Sequence, residues 1–242
     1  MDSNYQDYKY LDSFARIDEI LAQPAGNYEE VDSLPDRDRL TFTNGFYANC
    51  SALFIDIRDS SKLPESYKRP ALAKLYRAFI SELVAILNSL TFAREINIVG
   101  DCVWGLYNTP KKVDIDSVFS IAAKGNSLIK VLNYKLKKAG YDKQLIRVGI
   151  GLSYGRALMV KAGLSGSGIS DVVYMGDVVN SAAHLAARGG DIGGYPFMVD
   201  GVFRHNLNDD NKALLHLGGD GKTYQGDVVN TRMEEWYDAN CK

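Results

Sequence analysis

Residues 95–107, Glu-Ile-Asn-Ile-Val-Gly-Asp-Cys-Val-Trp-Gly-Leu-Tyr, restrict the folds open to this chain more than any other stretch. Two β-rich apolar runs meet at Gly100-Asp101, and a Gly-Asp pair between such runs favours a tight hairpin turn. The hairpin thus carries an acid in its turn. An earlier run, Ser51-Ala-Leu-Phe-Ile-Asp-Ile57, reads as a buried strand with its own acid, Asp56, near its end. Between the two, Leu72, Leu75, Tyr76, Phe79, Ile80, Leu83 and Leu87 recur at helical spacing and mark one face of a long helix. A second helix is expected over roughly 114–138. The order so far is strand, helix, hairpin, helix.

A second strand-rich block follows. Ile146 to Tyr154 and Ala157 to Val160 read as strands, 162–170 as a flexible loop, and Val172 to Met175 as another strand. Gly176-Asp177 opens a helix containing Val179, Ala182, Ala183 and Leu185, with Asp177 suited to cap its start and Gly189-Gly190 to end it. Turns and short strands are expected from there to Trp236, without internal repeats. This order predicts a mixed sheet covered by helices, an α+β sandwich.

The chain has 242 residues, enough for one domain enlarged by extensions. At 46% hydrophobic and 24% charged it can bury a core, which excludes wholesale disorder, collagen and coiled coil. Twenty-eight basic residues against thirty acidic ones give no basic excess, so a nucleic-acid partner is not expected. Cys50, Cys102 and Cys241 have no paired spacing, which argues against a disulfide framework and fits a reducing, cytoplasmic location. No signal-like N-terminus or membrane-length apolar run is present. Residues 1–38 hold ten acidic and three basic residues, with Phe14, Ile17, Ile20 and Leu21 marking a short amphipathic helix that stops near Pro24-Ala25-Gly26. The expected division is an acidic helical extension over 1–47 and a main domain over 48–237.

Asp56 and Asp101 are the first candidates for chemistry. An acid beside a buried strand is costly unless compensated, and two brought side by side invite divalent cations. Phe54-Ile-Asp56-Ile-Arg58, Val99-Gly100-Asp101 and Gly176-Asp177-Val-Val-Asn180-Ser-Ala-Ala-His184-Leu185 fall in an order and at spacings that resemble the catalytic domain of class III nucleotidyl cyclases. The resemblance covers roughly residues 48–237 and implies a ferredoxin-like βαββαβ core with a mixed, mainly antiparallel sheet.

The resemblance also implies roles. Asp56 and Asp101 match the family's metal-binding aspartates, and the backbone carbonyl of Ile57 matches a third ligand, for two Mn2+ or Mg2+ ions per site. Phe54 matches a position where backbone lies along the triphosphate, and Asn180 matches the asparagine that orients the ribose. Where the family places a transition-state arginine this chain has His184, and Arg188, one further turn along the same helix face, is the other candidate to reach inward in its place. The lysine that grips the terminal phosphates, expected near Tyr224 to Asp227, is missing, and Lys222 and Arg232 are its substitutes. Because metal aspartates and the asparagine helix lie on opposite sides of a cyclase subunit, the resemblance implies a homodimer with sites at the interface.

At the two base-reading positions stand Asn97 and Val173, which match neither the adenine nor the guanine set of the family. A smaller base follows, and the chain is similar to the pyrimidine cyclases of the bacterial antiphage system called Pycsar, homodimers whose cyclic UMP or cyclic CMP activates a separate effector protein. Asn97 can meet either uracil or cytosine by flipping its amide. The expected activity is conversion of UTP, or CTP, to the 3′,5′-cyclic monophosphate. An adenylate cyclase with an unusual pocket and a silent nucleotide-binding module are the alternatives. Gly149-Ile-Gly151 with Gly155 imitates a dinucleotide-binding turn, but at the wrong spacing and before a strand.

Overall fold

The apolar runs assemble into one sheet, seen in a computed structural model that describes residues 2–191 and 193–241. Its strands are β1 (Tyr28–Glu30), β2 (Gly45–Ile57), β3 (Ala93–Val99), β4 (Cys102–Tyr107), β5 (Val148–Leu164), β6 (Ile169–Met175), β7 (Phe197–Val199), β8 (His216–Leu217) and β9 (Tyr224–Gly226). The helices are α1 (Tyr10–Leu21), α2 (Leu63–Ser66), α3 (Arg69–Leu87), α4 (Lys112–Lys138), α5 (Asp177–Arg188), α6 (Gly201–Asn206), α7 (Asp209–Ala213) and α8 (Thr231–Asn240). The strand order is β3-β4-β2-β5-β7-β9-β8, with β1 beside β2 and β6 beside β5. Pairings are antiparallel except β1 with β2 and β5 with β7. The expected α+β class and mixed, mainly antiparallel sheet are what the structure has.

Alternation along β2 decides which layer each side chain joins. Leu53, Ile55 and Ile57 point to one face, where α3 buries Leu75, Phe79, Leu83 and Leu87 and α4 buries Ile115, Phe119 and Ala122. Each fully buried Leu or Phe there contributes about 1.5–3 kcal/mol of apolar transfer. Ala52 and Phe54 point to the other face, which Val178, Ala182 and Ala186 of α5 cover. Asp56 continues the second set.

Helix α5 lies close on β5 because two glycines leave it room. A Cβ on Gly151 would stand 2.0 Å from the Ala182 carbonyl oxygen, and one on Gly149 would stand 1.9 Å from that of Ala186. Gly155 lies under Val178 at an ordinary 3.7 Å. The glycine pattern that imitates a dinucleotide turn is thus the floor of a helix. Gly149 is also the cross-strand partner of Asp56, so the C-terminal end of α5 stands over the acidic end of β2.

Several expectations are corrected. The two strands expected over 146–160 are one, β5, because backbone pairing with β2 runs on through Gly155 and Arg156 where the apolar alternation breaks. Asp177 is the first helical residue and does not cap; Gly176, at φ 118°, holds the cap position with no side-chain bond. The C-terminal region holds α6, α7 and α8 beside its short strands. The extension reaches the sheet, since β1 pairs with β2. Its helix α1 forms where expected and leaves Leu11, Phe14, Ile17 and Ile20 exposed. Among the described residues, no helix is long and apolar enough to cross a membrane.

Candidate active site

The β3–β4 hairpin turns at Gly100, whose φ of 62° suits a residue without a side chain. Asp56 of β2 lies opposite Cys102 of β4, so Asp101, one residue before, is delivered beside it. The two sequence-distant acids are therefore brought together, as expected. Burial first, and the charge of Asp101 second, push the Asp56 carboxyl above its ordinary range, while Arg58 and the Ile57 backbone pull it partly back. Asp101 buries its Oδ2 with no hydrogen-bond partner. Desolvation, reinforced by both carboxylates, pushes the Cys102 thiol up to about 12, so it stays protonated at neutral pH.

A buried carboxylate oxygen without a donor, next to a like charge, is short of a positive partner. Among the described residues no three His, Cys, Asp or Glu side chains converge. The two carboxylates that meet at the end of β2 and the hairpin turn are an oxygen pair that could hold a hard cation and would leave coordination positions for substrate oxygens.

Asn180 and His184 stand one turn apart on the exposed face of α5, opposite the buried Val178 and Ala182. They do not meet Asp56 or Asp101 within the chain. Arg188 is held in place: its guanidinium donates to Asp220 Oδ2 at 2.8 Å, in the loop between β8 and β9. The backbone N–H groups of Thr223 and Lys222, with Arg188, hold the Asp220 carboxyl well below the usual range.

Asn97 and Val173, the residues expected to read the base, lie on strands β3 and β6. Asn97 on β3 faces Trp104 across the hairpin, and Trp104 stacks on Phe54 with ring centroids 5.1 Å apart. Val173 alternates to the other side of β6 from Tyr174. Tyr174 is the β6 side chain that reaches the Asn97 side, meeting Trp104 edge-on at 6.5 Å and donating its hydroxyl to Glu95 Oε2 at 3.1 Å. Nothing local in the sequence marks Trp104 or Tyr174 for this site; the one signal is Glu95, a charge inside an apolar strand and two residues from Asn97.

The sequence from 43 to 192 matches the family described as adenylate and guanylate cyclase catalytic domain. The chain belongs to this family. The cyclase is 46% identical over 190 residues to a uridylate cyclase from Gulbenkiania mobilis, covering 76% of the chain and 73% of the relative. It is 39% identical over 208 residues to a uridylate cyclase from Treponema porcinum, covering 86% and 72%. In fold it resembles the adenylyl cyclase CyaB from P. aeruginosa, at TM-score 0.63 and 21% identity over 78% of the cyclase and 97% of that chain. A class III adenylyl cyclase-like ATP-binding protein from Pseudomonas aeruginosa superposes at TM-score 0.70 and 18% identity over 92% of the cyclase and 48% of that chain.

Proposed function

We propose that this cyclase converts UTP to cyclic UMP and pyrophosphate. The observation that carries the reading is its 46% and 39% identity, over most of the chain, to two proteins named uridylate cyclase. The paired acids support it, because the orphaned Asp101 oxygen and the Asp56 charge fit magnesium or manganese. Bound there, two such ions would acidify the ribose 3′-hydroxyl for attack on the α-phosphorus and neutralise the departing pyrophosphate.

The chain's own residues do the rest. Asp56, Asp101 and the Ile57 carbonyl would hold the cations, whereas the backbone of Phe54, expected along the triphosphate, is taken up by pairing with β4 and β5. Asn180 orients the ribose by hydrogen bonding. His184 supplies an N–H donor toward the reacting phosphate, a weaker stabiliser than a guanidinium. Arg188 steadies the loop that carries Lys222. Since Asn180 and His184 face outward on α5 while the acids sit at the sheet, two copies in twofold, head-to-tail contact complete two sites. The product acts as a signal, read by a separate effector protein in defence against phage.

The test is incubation of purified protein with each of the four ribonucleoside triphosphates and manganese, with products identified by mass. Cyclic UMP from UTP is the expected result. Cyclic AMP as the sole product overturns the base assignment, and nucleotide binding without any product makes the chain a silent module.

A further inference from the structure

Glu95 is 7% exposed and would be a costly buried charge without donors. It has three. Arg37 Nη1 donates to both carboxylate oxygens at 3.1 and 3.2 Å, Asn97 Nδ2 donates to Oε1 at 3.2 Å, and the Tyr174 hydroxyl donates to Oε2. Arg37 comes from the N-terminal extension, outside the stretch that matches the family, and its Nη2 also reaches Asp171 on β6. The extension therefore contributes a cation to the wall that carries Asn97.

Two consequences follow for a base placed against Asn97. One N–H of the Asn97 amide is given to Glu95, which fixes the amide's orientation and presents Oδ1 as an acceptor. Arg37 is about half exposed, at 47%, and keeps N–H groups beyond those it gives to Glu95 and Asp171; a guanidinium offers donors and no acceptor. Acceptor and cation side by side complement the N3–H and O4 of uracil. Cytosine presents an amine where uracil has O4, and an amine facing Arg37 sets donor against donor.

We infer that Arg37 is a specificity-determining residue of the base pocket, donating to the exocyclic carbonyl of the pyrimidine and so selecting UTP over CTP. The inference rests on the proposed uridylate cyclase reading. A site that donates to a substrate carbonyl discriminates against an analogue that lacks it, because the donor, covered once the base is bound, is then left unpaired.

The wild-type protein is compared on UTP, CTP and the triphosphate of pyrimidin-2-one riboside, which lacks the exocyclic group. The analogue should lose at least about tenfold in kcat/KM relative to UTP. In Arg37→Gln, whose neutral amide can also accept, the UTP to CTP ratio should fall at least about tenfold and the analogue should approach UTP. Arg39→Ala, an extension arginine that stacks over Phe46, should leave the ratio unchanged. Equal use of analogue and UTP by the wild type, or an unchanged ratio in Arg37→Gln, overturns the inference. A purely structural role of Arg37 would lower all substrates alike. Wild-type protein that makes no cyclic UMP overturns the uridylate cyclase reading instead, a distinct outcome.

Discussion

Asp101 buries one carboxylate oxygen without a donor directly beside the Asp56 carboxyl, whose ionised form its charge disfavours. In the metal-free protein this pair is a repulsive contact held by the sheet. Asp56→Asn removes one of the charges, and the metal-free melting temperature should rise by about 1–3 °C, a small effect because the site is partly solvated. Turnover should fall by at least about a thousandfold, as expected when a metal ligand that stabilises developing charge is lost. Retained turnover would contradict the assignment of the pair as metal ligands.

The outward placement of Asn180 gives a mixing prediction. Asp56→Asn and Asn180→Ala should each be nearly inactive alone. Co-refolded in equal amounts, half of the dimers are mixed, and each mixed dimer holds one intact site, so activity should return to about a quarter of wild type. A steady-state assay across mixing ratios reads this directly, and no recovery at any ratio places both residues in one chain's site.

The Arg188–Asp220 contact predicts a pH signature. Asp220 is held ionised to unusually low pH by the Thr223 and Lys222 N–H groups and by Arg188. Its stabilising contribution is therefore full above the ordinary carboxylate pKa of about 3.9 and is lost as pH falls through its lower folded value. The melting-temperature gap between wild type and Asp220→Asn should be constant from about pH 5 to 8 and close below about pH 4. A gap that instead widens on acidification reverses the sign and removes this account of the loop.

The glycine floor of α5 predicts a contrast between neighbours. Gly151→Ala drives a Cβ into the Ala182 carbonyl, backbone against backbone, and should cost about 3 kcal/mol or more in denaturant melts. Gly155→Ala meets only Val178 at a normal distance and should cost less than about 1 kcal/mol. Equal costs at the two positions would show that α5 does not rest on these glycines as described.

The long periodic helices and the β3–β4 hairpin were legible because α3 and the turn at Gly100-Asp101 carry their signals locally. The meeting of Asp56 with Asp101 was legible only through ordered motifs. Continuity of β5 was hidden because ladder bonds ignore side-chain polarity, and Gly155-Arg156 reads as a break. The Glu95 network left no trace for a different reason. Its partners, Arg37 and Tyr174, lie 58 and 79 positions away in the chain, and no local pattern encodes a contact at that separation.

The unbroken length of β5 is a ruler. Gly149 stands opposite Asp56 and Val160 opposite Val173, eleven residues further on, so one rod of about 36 Å fixes the spacing between the acidic end of the sheet and the β6 hairpin. A single inserted residue within that rod would reverse the facing of everything beyond it. In a twofold pair the error would be made twice, once for each subunit. Drift in chain length is thus far better absorbed at the 165–168 hairpin tip, beyond the ruler's far end.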